Sequence, residues 1–587
     1  MRKSDIIFCF ILGTIPNLAQ IYSLFVLRQP LYFHYDEAIW VKQTFFCGKE
    51  FPFYEQKWGL IIPSLCLIYP LKFIIHPYFF PSLRIIFTII NFILAFKILN
   101  LYLPRRTSYI ILLFISSNIF SSSKLILYKT LEILEFSIDP NLIRFTENNL
   151  ISNIYGNTLR VFNPSYFMIF FLLFFLAFSS AYQEQEKDIE NRKKIATAGV
   201  LGGLIFYSHP HWFAYTISTL TLTLFIYFIS KKETKSIAKI IFSSLIVGLP
   251  GIIFNLYQRE ILKESIKRGA MMVTIENQSA SIPKEFLVLF ALAIISILLF
   301  SKYRKKDLFL LGGVLSGLIL FIVEPISRIY TQIIPHITVP FKIFSKIAIG
   351  FSIKKIEEKS KPLINIPLFL FIITFISQWI FFSFRIIREL KDEKIEKINE
   401  FIKVAEFIKT KTEKNSVITA EDLYGFFFIY DVFPTSSELM LSILTKRYIL
   451  HNNINYFSDL KDEDIFERFI LRAKLLGYSG EELKKYIKDI SEREHVVWGT
   501  STFSVFVSRA YFGTPPNFTI EKYKNLKEAL PELTEKILQI YKDEEKMNEI
   551  LKKLKVDYVV RKKDYQGEPY LEKISEIGDF KIMKVVK

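Results

Sequence analysis

The stretch LINIPLFLFIITFISQWIFFSF, residues Leu363 to Phe384, gives way at once to RIIRELKDEKIEKINEFIKVAEFI, residues Arg385 to Ile408. The first carries no ionisable side chain over a length of about 20 residues. That is what a helix needs to cross the hydrocarbon with every backbone N–H and C=O bonded internally. The second sets Ile395, Ile398, Phe401, Ile402, Ala405 and Ile408 at helical spacing among lysines and glutamates, the pattern of a helix with one face on a core and the other in water. The chain is therefore expected to divide near Arg388 into a membrane body, residues 1–387, and a soluble domain, residues 388–587.

Upstream of that boundary apolar runs recur from Ile6 to Leu27, Gly59 to Tyr78, Ser82 to Leu103, Tyr109 to Ser123, Val161 to Tyr182 and Ile195 to Ser230. The last is long enough for a hairpin of two short helices. Further runs follow from Ile237 to Tyr257, Phe286 to Phe300, Leu308 to Val323 and Phe341 to Phe351. The expectation is a polytopic all-α bundle of about eleven to thirteen transmembrane helices, in keeping with 51% hydrophobic residues and a mean hydropathy of +0.29. Met1-Arg2-Lys3 has the charge order of a signal peptide, but the run behind it is long enough to span and lacks a small-residue cleavage site, so it reads as a retained first helix.

Downstream of the boundary, strand-like segments from Ser416 to Ala420, His495 to Ser501, Val556 to Arg561 and Phe580 to Val586 alternate with helical stretches such as Asp459 to Leu476. That alternation predicts an α/β or α+β domain.

The short loops Arg192-Lys193-Lys194, Lys231-Lys232, Arg304-Lys305-Lys306 and Lys354-Lys355 are basic, which places them in the cytoplasm with the N-terminus. Counting forward, the last helix exits outward. The soluble domain is then extracytoplasmic, on the side of the loop from Arg28 to Trp58, and the expected location is a bacterial inner membrane. Arg105-Arg106 should also be inside, which requires an odd number of crossings between Gly59 and Leu103, yet two runs lie there. Pro63, Pro70, Pro77 and Pro81 break this region, so one run is expected in the interface or re-entrant.

The net charge of +18 is spread over these loops and the tail rather than gathered in one stripe. Retention of cytoplasmic loops and attraction to membrane lipids account for it, and no nucleic-acid partner is expected. Cys9, Cys47 and Cys66 have no metal-ligand or CxxC spacing, so neither a zinc site nor a disulfide framework follows. No P-loop and no GxGxxG motif is present.

The residues most suggestive of chemistry are Tyr32-Phe33-His34-Tyr35-Asp36-Glu37-Ala38-Ile39-Trp40, an acidic pair just beyond the first helix. Carboxylates near a membrane surface can bind a divalent cation, magnesium or manganese, or accept a proton from a hydroxyl. An Asp-Glu pair is also common in ordinary polar loops. Tyr207-Ser208-His209-Pro210-His211-Trp212 falls at the outward turn of the hairpin, where His209 and His211 could bind phosphate oxygens or shuttle protons, or simply sit at headgroup level. Arg160, opening a span from the outer side, and Arg328 with Glu324, just after one, could hold a lipid-linked phosphate through the planar guanidinium fork, against the plainer reading of helix-end charges. His336, between Pro335 and a short apolar run, reads as structural. The polar insertions Lys124 to Arg160 and Gln258 to Lys284 are long for a bundle and read as lids.

His34-Tyr35-Asp36-Glu37 resembles the acidic motif, often Asp-Glu or His-Pro-Asp-Glu, in the first outer loop of the GT-C superfamily, with Tyr in place of Pro. Those integral-membrane glycosyltransferases use polyprenyl- or dolichyl-phosphate sugars. The proline-rich second run, the many-span body and the outward tail are similar too, as is Leu554-Lys555-Val556-Asp557-Tyr558-Val559-Val560, a strand motif of such outer domains. The resemblance implies an inverting transfer from a polyprenyl-phosphate donor to a glycan, lipid or protein acceptor. Asp36 would be general base or metal ligand and Glu37 the alternate, with His34, Arg160, His209, His211, Glu324 and Arg328 binding substrate. Two rival readings stand beside it: a glycan polymerase or ligase using lipid-diphosphate donors, resting more on Arg160, His209, His211 and Arg328, and a transporter or flippase, for which no inverted repeat is visible.

Overall fold

The computed structural model describes residues 1–34, 41, 44, 63–116, 165–182, 188–261, 273–274, 284–327, 329–330, 333–360, 362–390, 392–421, 428–430, 436–450, 460–498, 531, 534–562 and 570–586. Seven helical stretches are long and apolar enough to cross a membrane: Lys3–Leu27, Tyr78–Tyr102, Pro210–Ile229, Lys235–Phe254, Lys305–Val323, His336–Lys359 and Asn365–Arg388. Phe167–Ala181 and Glu285–Phe300 are shorter apolar helices. The chain is an integral-membrane α-bundle with a small sheet near its C-terminus. The described residues hold fewer spans than the eleven to thirteen expected of the whole chain.

One apolar run does not form a spanning helix. The described part of Gly59 to Tyr78 is a chain of 3-10 turns, Pro63–Leu67, Tyr69–Phe73 and Pro77–Ser82. Each proline lacks an N–H and cannot sit inside a regular helix without losing a bond. This leaves one crossing, Tyr78–Tyr102, between the Pro63–Leu67 turn and Arg105, the odd number that the Arg105-Arg106 loop requires.

The two ends of the bundle are defined by polar contacts. At one end the Arg105 guanidinium pairs with Asp5 at 2.5 Å, Lys305 pairs with Glu233 at 3.2 Å, Thr107 donates to Glu357, and the Lys306 ammonium donates to the Leu101 carbonyl. Three of the four basic loops thus lie with the N-terminus. Between the ends, rings from four helices fill the interior, with Phe175 stacked on Phe344 at 4.7 Å and Phe171 edge-on to Trp212 at 5.9 Å. Gly313 and Gly317 lie directly under Phe344 and Phe341, where a Cβ would overlap the rings, so these two helices close on each other through small residues.

Beyond the Asp392–Lys411 helix a five-stranded sheet forms from β4 (Val417–Ala420), β6 (Tyr448–Ile449), β7 (Tyr558–Lys562), β8 (Leu571–Ile577) and β9 (Phe580–Val585), in the order β6-β4-β7-β9-β8. β4 pairs in parallel with β6 and β7, and β9 runs antiparallel to β7 and β8. The helix Asp462–Leu476 packs on β7. His495 to Trp498, the described part of the expected His495 to Ser501 strand, is helical instead. The Gly480–Trp498 helix runs through most of it, held by Leu483 and Ile487 in the core and by Tyr486 stacked on Phe469 at 6.0 Å. A buried ion pair locks the sheet: Arg472 donates to Glu438 at 3.1 Å and to the Ala420 carbonyl at 2.9 Å, while the Ala420 N–H donates to the same carboxylate at 3.0 Å.

Candidate active site

The first helix ends in a π-turn, and Arg28 takes left-handed backbone (φ 55°), turning the chain back over the bundle. A collar of hydrogen bonds then fixes residues 29–32. Ser23 donates to the Gln29 carbonyl at 2.7 Å, the Leu31 N–H donates to Gln20 at 3.3 Å, Tyr78 donates to the Gln29 side chain at 2.8 Å, and Tyr32 donates to the Tyr78 carbonyl at 2.9 Å. Arg84, fully buried where the Tyr78–Tyr102 span begins, donates to the Leu31 carbonyl at 3.3 Å. Out of this collar runs β1 (Tyr32–His34), which leads directly to Asp36 and Glu37.

β1 pairs in parallel with β5 (Phe428–Tyr430), Tyr32 opposite Phe428 and His34 opposite Tyr430. The Gln29 side chain also donates to Asn399 of the Asp392–Lys411 helix at 2.6 Å. β5 therefore lies beside the strand that precedes the acidic pair in sequence.

A second group gathers around His209, the N-cap of the Pro210–Ile229 helix, where Pro210 fixes the first helical turn. Its buried ring stacks on Trp212 at 4.8 Å and meets His336 at 4.8 Å, and His211 stacks on His336 at 4.7 Å. The Trp212 indole N–H donates to the His336 carbonyl at 2.7 Å and ties the two helices together. Three imidazoles this close cannot all carry charge unless an anion lies among them. The cluster is suited to accept a phosphate and to exchange protons with it.

The two groups are joined by contacts along one end of the bundle. Phe87, one turn from Arg84, meets Tyr166 at 5.1 Å, and Phe167 meets His209 at 6.1 Å. Asn91 donates to the Ser165 carbonyl at 2.6 Å, and Tyr166 donates to the Ser64 carbonyl at 2.8 Å. These contacts hold the start of the helix that follows Arg160. The end opposite Asp5 and Arg105 thus collects the flank of the acidic motif, the flank of Arg160 and the three histidines.

Of the residues nominated from sequence, His209 and His211 come together as described, and His336 joins them. Asp36, Glu37, Arg160 and Arg328 lie outside the described residues. His34 closes β1 and Glu324 lies in the Lys305–Ser327 helix; their positions are those of the backbone. Just past Arg328, β3 (Ile329–Tyr330) pairs antiparallel with β2 (Val273–Thr274), so the Gln258 to Lys284 insertion reaches the end of that helix. Arg84 was not singled out from the sequence, and His336 was read there as structural; they meet Leu31 and the pair His209 and His211 respectively. Arg84 was legible only as one cation at a helix mouth, and His336 only as a ring beside a proline. Cys66 is disulfide-bonded, against the expectation of no disulfide, and Cys9 is free and buried. Among the described residues no group of three or more His, Cys, Asp or Glu side chains is arranged to hold a metal ion.

No family model and no curated protein matches the sequence. Among solved structures, the archaeal oligosaccharyltransferase AglB from Archaeoglobus fulgidus, in complex with an inhibitory peptide and a dolichol-phosphate, is similar with a TM-score of 0.46 and 9% identity over 95% of this chain and 69% of that one.

Proposed function

We propose that the chain is a GT-C-type membrane glycosyltransferase that moves a sugar from a polyprenyl-phosphate donor to a glycan, lipid or protein acceptor at the outer face of a bacterial inner membrane. The observation that carries the reading is the gathering, at the end of the bundle away from the basic loops, of the flank of Asp36-Glu37, buried Arg84 and the three histidines. A donor whose lipid stays in the bilayer must present its sugar at that depth.

Asp36 accepts the proton of the acceptor hydroxyl as its oxygen attacks the anomeric carbon from the face opposite the phosphate. The bond from that carbon to the phosphate oxygen breaks and the configuration inverts. The lipid phosphate leaves with the bonding pair, and in this reading His209, His211 and His336 donate hydrogen bonds to it. Glu37 is the alternate base. A divalent cation on Asp36 and Glu37 is a separate proposal that a chelator decides. The domain 388–587 is read as extracytoplasmic, covering the site through β1 and β5; a disulfide at Cys66 fits the same oxidising side.

Asp36→Asn, Glu37→Gln and His209→Ala, each purified and given a synthetic polyprenyl-phosphate sugar, test the reading. Asp36→Asn is expected to abolish transfer, and wild-type turnover in both carboxylate variants would overturn it. A lipid-diphosphate donor is the second reading, favoured by the third imidazole, His336. It predicts that diphosphate is consumed in preference to monophosphate and that His336→Ala removes the preference.

A further inference from the structure

The helix Ile333–Lys359 carries two lysines at a depth where a membrane span has little use for charge. Lys346 lies ten residues in from His336 along a span of 24 residues, about 15 Å down its axis. It is buried, its ammonium donates to the Phe114 carbonyl, and it stands 4.5 Å from the centre of the Phe114 ring. Lys342, one turn nearer His336, is half-buried; Ser345 has no exposed surface, and its hydroxyl has no hydrogen-bond partner. The spacing of Lys342, Ser345 and Lys346, i, i+3 and i+4, puts all three on one face of the helix. That face is turned to the helix Arg105–Ser116, because Gly350, one turn further along, sits against Ile111 and Leu103. The Asn365–Glu389 helix closes over it through Phe371, 5.7 Å from Phe114. The His336 ring and carbonyl face His209 and Trp212 instead, so the lysines are separate from the histidine cluster. Phe286, stacked on Phe341 at 3.8 Å, brings Glu285 to the flank of Lys342, yet Glu285 is exposed and makes no ion pair with either lysine. Among the described residues, the Phe114 carbonyl is the one hydrogen-bond acceptor that these three side chains have.

We propose that Lys342, Ser345 and Lys346 hold a monovalent inorganic anion, chloride in ordinary salt, inside the membrane body. Two ammoniums and a hydroxyl supply donors and positive charge with almost no acceptor in return, which suits an anion and not a metal cation. A monovalent ion is small enough to lie between packed helices, and a single charge gives up less hydration on burial than a phosphate does. Held there, it braces the Ile333–Lys359 helix against Arg105–Ser116. The assignment stands whether or not the chain transfers a sugar.

The test follows the melting of the full-length chain in detergent as sodium gluconate is exchanged for sodium chloride at constant ionic strength. Chloride is expected to raise Tm by several degrees and to do so saturably, as a ligand that binds the folded state must. Lys346→Met is expected to melt at the same temperature in both salts. Ser345→Ala, which removes one hydroxyl and leaves the fold intact, carries the test should Lys346→Met not fold. It is expected to raise the half-saturating chloride concentration about tenfold, the loss of one hydrogen bond to a charged group. An equal Tm of wild type in the two salts, or a chloride shift that persists unchanged in the variants, overturns the proposal. So does a shift produced in gluconate by phosphatidylglycerol and not by chloride, which would make the occupant a lipid phosphate.

Discussion

A guanidinium with no exposed surface is expensive in a protein interior, and Arg84 places one at the mouth of an apolar span. Its bond to the Leu31 carbonyl sets the backbone that enters the acidic motif, so Arg84 acts as a positioning residue for the reaction proposed above. Arg84→Ala is expected to lower kcat/KM by about ten- to a hundredfold, the equivalent of about 1–3 kcal/mol for a lost buried bond. Arg84→Lys should recover part of kcat while KM stays near wild type; equal rates in all three would leave Arg84 a packing residue. In the sheet domain, Glu438 and Arg472 offer a second test. Arg472→Met alone strands a buried carboxylate and is expected to cost about 3–5 kcal/mol, whereas the double change Glu438→Leu/Arg472→Met should cost much less. Denaturant unfolding of the three proteins measures the difference. Neither pairing is readable in advance, because Arg84 and Leu31 meet only through a chain reversal at Arg28, and Glu438 and Arg472 only through the sheet. His209 and His211 were legible because they share one turn of chain, whereas His336 joins them only through the packing of a distant helix.

At the scale of elements, hydropathy alone misjudged the run from Gly59 to Tyr78, while its prolines foretold the break into 3-10 turns. The Gly480–Trp498 helix went the other way, since the β-branched pair before Trp498 mimicked a strand where burial of Leu483 and Ile487 along one face decided for helix. On the proline-broken segment, His76 titrates below its ordinary value of 6.5, first from partial burial and then from Lys409 and Lys446. The folded chain thus holds it neutral where the unfolded chain would take up a proton. Stability is therefore lost as pH falls below about 6.5, down to the lower folded value. His76→Gln is expected to flatten that part of the Tm-versus-pH curve, and an unchanged slope would remove His76 as its source. Helix closure makes a further prediction. Gly313→Val drives a side chain into the Phe344 ring and should cost about 1–3 kcal/mol or more, and Phe344→Ala on the same chain should relieve part of the clash, read as recovery of Tm.

For the whole molecule, sidedness is an expectation counted along the chain from basic loops, helix lengths and an acidic motif. The one parity that the count left open, between Gly59 and Leu103, turns on whether a proline-broken apolar run crosses, and that depends on backbone bonds rather than hydropathy. With one crossing there, Arg105 reaches Asp5 at the N-terminal end, and β1 meets β5 at the other end together with the Gln29–Asn399 bond. The proposed topology puts the sheet domain and β1 on one side of the bilayer, and the loops at Lys231-Lys232, Arg304-Lys305-Lys306 and Lys354-Lys355 on the other. Alkaline phosphatase, which folds only where its disulfides can form, separates the two sides. Fused after Lys587 it is expected to be active in a bacterial host, and fused after Lys359 inactive. Maleimide labelling should leave Cys66 unmodified until a reductant is added. Activity at Lys359 with none at Lys587 would put the acidic motif in the cytoplasm, and a lipid-linked donor presented at the outer face could not reach it.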